Sequence, residues 1–305
     1  MSDTQHSSTF GLRPSALIHT SLIIVNYNGA ELLPGCIESA LATTPPGCEL
    51  IVVDNASTDR SRALLAGYGA RVRLVPSPRN LGFGRACNLG AAAARGDLLI
   101  FLNPDVTLLP GWLEPLAEAA RDERYGLLCP RLLAPGSPLP PPGGPELLEL
   151  AMLPGCGLSA RRSAWLALGG FDESFFMYWE DAELCWRAWL LGWRVALVER
   201  SVVYHQRSAT TRSYGRWDAE RAQNSLYTYL KLMRWPTALG YALRLLLVCC
   251  LKALRWPQLA PGLLRAWLWN AAHLRRTLHA RRALAARRAS GYTELEHRIK
   301  HQQQL

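Results

Sequence analysis

Four short, almost unbroken apolar runs alternate with helically spaced segments over the first third of the chain. Residues 21–28, SLIIVNYN, read as a buried strand ending in polar residues, and 48–59, CELIVVDNASTD, repeat that pattern. RVRLVPS supplies a third strand and 97–106, DLLIFLNPDV, a fourth. Between them, AELLPGCIESALATT (interrupted near its start by Pro34-Gly35), SRALLAGYG and NLGFGRACNLGAAAARG read as helices, the last opening from a Gly loop. Strands that are apolar at every position need cover on both faces, which predicts an α/β fold with a mainly parallel sheet and flanking helices. Further on, 134–146 (APGSPLPPPGGPE) reads as an exposed loop. Residues 151–176 predict a short strand, a helix starting near Arg161 and a Gly-Gly turn. MYWEDAELCWRAWLLGW (177–193) is helical, RVALVER (194–200) a strand, and SVVYHQRSATTRSYGR polar and flexible in composition. No repeat of solenoid period occurs.

In a parallel sheet covered on both faces, ligands sit beyond the carboxyl ends of the strands. Asn26, Asn28, Asp54, Asn55, Asn103 and Asp105 all fall there, on three separate strands. Asn and Asp at one strand end are ordinary turn-formers. Three such ends in succession point to a polar ligand site.

The character changes from about residue 225 to Leu, Trp and Arg. Residues 237–256 are apolar but interrupted by Arg244, Lys252 and Arg255, and the longest uncharged run there, Leu245–Leu251, falls far short of the ~20 residues that span a bilayer. Residues 1–230 carry 20 Arg and 22 acids, whereas 231–305 carry 14 Lys and Arg and only Glu294 and Glu296. The net charge of +10 therefore belongs to the tail. Expected organisation is a disordered leader (1–19), an α/β domain (20–230) and a basic amphipathic helical tail (231–305). Such a tail suits an anionic membrane surface, or packing on the core. Eight scattered cysteines without C-x-x-C spacing read as reduced thiols of a cytoplasmic protein. No signal peptide is expected, because no basic segment precedes an apolar one at the N-terminus.

Asp105, in Asn103-Pro104-Asp105, follows an apolar strand, where an acid can bind Mg²⁺ or Mn²⁺ that also holds a nucleotide diphosphate. Asp54 could accept hydrogen bonds from a nucleobase, and Arg85 could pair with phosphate or sugar. The NLGFGRACNLG loop is not the G-x-G-x-x-G dinucleotide fingerprint. Glu180 and Asp181 open an apolar helix. Acids there either stabilise the helix by about 0.3–1 kcal/mol each or serve as a base beside a substrate. Trp179, next to them, is a candidate to stack on a sugar; Trp186, Trp189 and Trp193 read as core, and Glu183 with Arg187 as a surface pair.

The succession SLIIVNYNGAELLPGCIESAL, IVVDNASTD, NLGFGRACNLG, FLNPDV, GGFDESFFMYWEDAELCWR and His205 resembles the family 2 glycosyltransferases, most of all their rhamnosyltransferase-like branch, over roughly residues 20–210. The resemblance implies a GT-A fold, a nucleotide-diphosphate sugar donor, a divalent metal (Mg²⁺ or Mn²⁺) and inversion of the anomeric centre. By the same resemblance Asp54 matches the acid that reads the pyrimidine base, Asp105 the last acid of the D-x-D metal motif, Asp181 the base of the ED motif and His205 a histidine that helps hold metal. Asn103 stands where the first D-x-D acid would be, which removes one charge from the metal site. The remaining expected contacts are Asn26, Asn28, Asn55, Arg85 and Asn103 to the nucleotide sugar, and Trp179 and Glu180 to the acceptor.

The implied function is transfer of L-rhamnose from dTDP-L-rhamnose to a saccharide or lipid-linked saccharide in bacterial cell-surface polysaccharide synthesis. The implied location is peripheral, at the inner face of the plasma membrane. The alternatives are a transferase using another UDP or GDP sugar and a degenerate nucleotide-sugar binder, of which Asn103 would be the sign. A nucleotidyltransferase or dinucleotide-dependent oxidoreductase is disfavoured by the missing fingerprint and the second acid pair. No nucleic-acid partner is expected, since no reader motif accompanies the basic tail.

Overall fold

The computed structural model describes residues 18–140, 146–206 and 214–302. Residues 1–17 of the expected leader, 141–145 of the Pro/Gly loop and 207–213 of the polar segment lie outside the described residues. The first half alternates strand and helix: β1 (Thr20–Asn26), α1 (Leu33–Thr43), β2 (Glu49–Asp54), α2 (Ser61–Ala66), β3 (Arg73–Pro76), α3 (Phe83–Ala93) and β4 (Leu98–Leu102). Pro34 falls in the first turn of α1, where its missing N–H has no helical partner to lose, so it starts that helix rather than breaking it. β1 pairs in parallel with β2 and β4, and β2 with β3. Alternate residues of these strands enter two cores, Ile23, Val53 and Phe101 on one face and Leu22, Val52 and Ile100 on the other. That two-sided burial is why the runs are apolar at every position.

The second half is β5 (Val106–Leu108), α4 (Leu113–Ala119), β6 (Tyr125–Leu133), β7 (Leu147–Glu149), β8 (Ser159–Arg161), α5 (Arg162–Leu168), α6 (Glu180–Leu190) and β9 (Arg194–His205). The sheet runs β3-β2-β1-β4-β8-β6-β9-β5, with β7 also on β9. It is parallel from β3 to β4 and mixed beyond, because β8 pairs antiparallel with β4 and β6. α5 ends at Gly169 in the left-handed region (φ 82°), followed by Gly170, as the Gly-Gly pair predicts. The strand expected at 194–200 continues to His205, and Val203–His205 zips antiparallel onto β5. The segment from Ser201 to His205 is therefore sheet, a correction to the flexible reading of that stretch.

Among the described residues five α-helices follow: α7 (Tyr214–Leu232), α8 (Trp235–Arg255), α9 (Ala260–Ala272), α10 (Leu274–Arg287) and α11 (Tyr292–Gln302). The expected division at 230/231 does not mark a packing boundary. Met233, Ala238, Leu284 and Leu295 are buried in the same core as Ile23 and Phe101. α11 returns to the domain, where Gln302 exchanges two hydrogen bonds with the Met152 backbone at 2.9 Å each. α8 forms one 21-residue helix, long and apolar enough by length and composition to cross a membrane, which the short uncharged run did not suggest.

The Glu183–Arg187 pair, expected at the surface, is buried. Arg187 clamps both oxygens of Glu183 and donates to the carbonyls of Leu168 and Gly170. Lys231 Nζ bridges Glu183 Oε1 and Asp172 Oδ2 at 2.6 Å each. Two acids thus meet two cations, and the guanidinium and ammonium hold Glu183 below the usual carboxylate range against the opposing effect of burial. The helix face that should have met water meets α7 instead.

Candidate active site

The parallel register places Asn26 directly opposite Asp54, with Asn103 one residue beyond the end of β4. Asp54 is fully buried. Arg62 Nε donates to its Oδ2 at 2.5 Å, and the Ser57 N–H approaches Oδ1 at 3.3 Å. Asn26 Nδ2 donates to Ser57 Oγ at 3.1 Å, while its buried Oδ1 has no hydrogen-bond partner. Two of the expected nucleotide contacts brace loops. Asn28, exposed at φ 52°, accepts from the Thr58 N–H at 2.7 Å. Asn55 donates to Asn80 Oδ1 and the Gly82 carbonyl and accepts from the Leu81 N–H, so its amide shapes the 80–82 loop.

That loop turns through Gly82 (φ 79°) into α3. A Cβ at Gly82 would lie 1.9 Å from the Phe176 carbonyl oxygen, so only glycine fits there. Phe83 N–H donates to that same carbonyl at 3.2 Å, and Arg85 Nε donates to the Glu173 carbonyl at 2.6 Å. The glycine loop is thereby tied to the segment that precedes Glu180 and Asp181.

Asp105 and His205 meet at the end of β9, with His205 Nε2 3.2 Å from Asp105 Oδ1 and 3.5 Å from Asn103 Nδ2. Burial works to lower the His205 pKa, but the Asp105 hydrogen bond and the neighbouring Cys156 thiol push it up to about 10. The imidazole thus sits in an electronegative setting. Among the described residues no group of three or more His, Cys, Asp or Glu side chains gathers as a metal cage. One carboxylate, one imidazole and an amide nonetheless fit a divalent ion that takes its other ligands from substrate phosphates and water.

The strand β9 places His205, whereas the helix start of α6 places the acids. Tyr178 and Trp179 precede α6 in the left-handed region, at φ 67° and 72°, a strained pair for non-glycine residues. Asn224 Nδ2 holds them there by donating to the Met177 and Tyr178 carbonyls at 2.9 Å each, and Arg221 stacks on the Tyr178 ring. Trp179 packs edge-on to Trp186 and tilted against Tyr229, so much of its ring belongs to the core.

Asp181 is partly buried and accepts from the Gly155 N–H at 3.1 Å and the Ala182 N–H at 2.8 Å. Glu180 is more deeply buried, and its Oε2 has no hydrogen-bond partner. Burial, then the Asp181 charge, pushes Glu180 up to about 8; burial also raises Asp181, while its two backbone donors oppose the rise. Two buried carboxyls this close disfavour a second charge, and the two backbone donors favour the charged form at Asp181 over Glu180.

Sequence reasoning missed Cys156, Asn224 and Arg221. Gly155-Cys156 links the two halves of the site, since the Gly155 N–H holds Asp181 while the Cys156 thiol flanks His205. The two glycines bracketing Cys156 were the available signal.

The profile described as "Glycosyl transferase family 2" matches residues 21–171, and "Glycosyl transferase family group 2" matches 104–281. The chain is 30% identical over 235 residues to an N-acetylglucosaminyl-diphospho-decaprenol L-rhamnosyltransferase of Mycobacterium tuberculosis, covering 62% of this chain and 76% of the relative. Its fold is similar to that of a mannosyltransferase from Pyrobaculum calidifontis solved with GDP-Man and Mn²⁺ (TM-score 0.57, 19% identity, 85% of this chain and 76% of that one). It is also similar to GalNAc-T7 solved with UDP, GalNAc and Mn²⁺ (TM-score 0.60, 18% identity, 71% of this chain), of which it spans about half the length, 48%.

Proposed function

Because the chain belongs to the family 2 glycosyltransferases, we propose that it moves L-rhamnose from dTDP-L-rhamnose to a lipid-linked saccharide in bacterial cell-surface polysaccharide synthesis, inverting the anomeric carbon. The observation that carries this reading is the convergence of Asp105, His205 and Asn103 beyond the ends of β4 and β9, joined through Gly155-Cys156 to Asp181, whose carboxyl accepts two backbone N–H bonds. The donor and acceptor rest on the resemblance to the rhamnosyltransferase.

Asp54 and Asn26 face the nucleoside, Asn28 and Asn55 shape the loops around it, and Arg85 stands at the first turn of α3 toward the diphosphate. Asp105, His205 and Asn103 are the residues that would hold Mg²⁺ or Mn²⁺, which supplies charge stabilisation to the departing diphosphate when bound. Asp181 accepts the proton of the acceptor hydroxyl as its oxygen bonds to the anomeric carbon. The bond from that carbon to the diphosphate oxygen breaks on the opposite face, and the electron pair leaves with the nucleoside diphosphate. Glu180, deeply buried with Oε2 unpartnered, disfavours a second charge beside Asp181. Trp179 closes the acceptor side through the strained backbone it shares with the acids.

A membrane-surface location is supported by α8. Its Ala238 and Cys249 side is buried against the other helices, while Leu239, Leu243, Leu247, Leu251 and Leu254 form an exposed stripe. With one side against α7 and α9 and Arg244, Lys252 and Arg255 beside the leucines, the helix suits an in-plane position at a basic, apolar face better than a crossing one.

The test is thermal shift with a panel of nucleotide sugars and Mn²⁺, followed by transfer to polyprenyl-diphospho-N-acetylglucosamine. A ligand at 100 times its dissociation constant stabilises by about 2.7 kcal/mol. Product from dTDP-L-rhamnose is the expected result. Product only from a UDP or GDP sugar would move the donor, and binding without turnover would leave a nucleotide-sugar binder.

A further inference from the structure

Beside the segment that leads into the acid pair, α7 and α9 line a cavity of about 420 Å³ that lies outside the nucleotide, metal and base positions named above. Its size lies within the roughly 300–1,000 Å³ of small-molecule sites. Phe176 and Trp269 give it apolar walls, and Ser174, Glu220 and Gln223 give it polar ones. Trp269 is fixed by stacking on His273 at 4.2 Å and by an edge contact with Tyr227. Planar aromatic walls beside amide, hydroxyl and carboxylate groups are the chemistry that recognises a saccharide, whose rings have apolar faces and hydroxyl rims.

The cavity is coupled to the acids in two ways. Asn224 lines it and holds the Met177 and Tyr178 carbonyls ahead of Trp179 and Glu180. Glu220 also lines it and lies close enough for its charge to act on Glu180. Toward solvent the wall is Arg265, an exposed cation. One turn of α9 further round, Leu264 and Leu268 are each 60% exposed, and α9 packs beside α8 with its leucine stripe. A saccharide pocket, a cation and an apolar face therefore follow one another across a single helix.

We propose that this cavity binds the acceptor: the saccharide head occupies the space between Phe176, Gln223 and Trp269, its anionic diphosphate meets Arg265, and its lipid runs along the α8–α9 face. The proposal rests on the reading of the chain as a transferase to lipid-linked saccharides and adds the site to it.

The test is calorimetric titration of the full chain with short-chain polyprenyl-diphospho-N-acetylglucosamine in detergent, alongside a separate titration with dTDP and Mn²⁺. Ala266→Phe fills the cavity, and Gln223→Ala and Arg265→Ala remove single contacts from its wall. All three should weaken acceptor binding by about tenfold or more, with dTDP binding within twofold of the unsubstituted chain. If Ala266→Phe fails to fold, the two truncations decide the matter. Unchanged acceptor binding in Gln223→Ala and Arg265→Ala overturns the proposal, as does a chain that binds dTDP and not the probe. Cavity-dependent probe binding without any nucleotide binding supports the cavity and overturns the transferase reading instead.

Discussion

The Lys231 ammonium lies 2.6 Å from the Glu183 carboxylate, and the Glu183 side chain is wholly shielded from water. One residue belongs to α7 and the other to α6, so this ion pair joins the closing helices to the helix that begins with the acid pair. Lys231→Met leaves Asp172 and Glu183 with Arg187 as their remaining close cation. Breaking a buried pair by removing one partner costs about 3–5 kcal/mol. Urea unfolding should show a loss of that size, and a loss below about 1 kcal/mol would mean that the ammonium balances nothing. Truncation just before Lys231 should give an insoluble or molten product, because Met233, Ala238, Leu284 and Leu295 leave the core with it.

Glu180 gives the protein a pH-dependent stability of definite sign. Its folded pKa is raised from 4.5 to about 8 by burial and then by Asp181. Below pH 4.5 the folded and unfolded chains both hold this proton, and the stability is fully present. Between 4.5 and about 8 only the folded chain holds it, so stability falls as pH rises through that window. Glu180→Gln has no proton to lose. Its melting temperature should match the unsubstituted chain near pH 5 and exceed it at pH 8.5, by ~2–4 °C for each kcal/mol recovered. Parallel melting curves across that range would show that Glu180 ionises freely.

Much of this was legible in the sequence where one physical cause acted locally. Burial on both faces makes β1, β2 and β4 apolar throughout, and the strand ends at Asn26, Asp54 and Asn103 follow from where those runs stop. The buried state of Glu183 was not legible, because its second cation stands 48 residues away on another helix. The reach of β9 to His205 was hidden for a related reason. SVVYH is followed by a polar run, and it is held as strand by β5, nearly a hundred residues earlier. The α8 stripe was hidden by counting charges along the chain, since Arg244, Lys252 and Arg255 sit beside the leucines rather than among them in space.

Leu243 and Leu247 are 70% and 59% exposed on that stripe. A double substitution to Glu should leave folding intact, because neither side chain has core contacts to lose. Sedimentation with anionic vesicles should drop by more than tenfold, since two apolar anchors of roughly 1.5–3 kcal/mol each are lost and two like charges are added to the membrane surface. Raised salt should weaken the unsubstituted chain as well, by screening its arginines. Equal sedimentation of both proteins would remove the membrane from the reading. A shift from dimer to monomer on substitution would identify a second copy as the partner of this face.

Asn103 supplies a neutral amide where a second carboxylate would strengthen a cation site. Asn103→Asp should tighten Mn²⁺-dependent binding of dTDP, about tenfold for one added charge at a partly buried site. Asp105→Ala should abolish the metal dependence, and His205→Ala should reduce it less, as the carboxylate remains. These are calorimetric comparisons with and without EDTA. Binding and turnover that persist unchanged in EDTA would show that the Asp105–His205 pair is a structural clasp between β5 and β9.

Asp181 offers the sharpest separation between a structural and a chemical role. As a helix-terminal acid it stabilises by about 0.3–1 kcal/mol, and Asp181→Asn should then cost no more than that and leave turnover alone. As the base it accepts the hydroxyl proton, and the same near-isosteric change removes that capacity while keeping the side chain's size. Transfer should fall by on the order of 10²–10⁴, with dTDP affinity and melting temperature nearly unchanged. The Gly155 and Ala182 N–H groups that now meet carboxylate oxygens can keep one bond to the amide carbonyl oxygen, which limits the structural cost. Glu180→Gln, which leaves the proposed proton acceptor in place, should lose far less activity at pH 7. The measurement is initial rate against donor and acceptor concentration for each variant. Turnover near that of the unsubstituted chain for Asp181→Asn would assign the acid to the helix and leave the proton without an acceptor in this scheme. A deep loss confined to turnover, with the acceptor still bound, identifies Asp181 as the group that takes the proton.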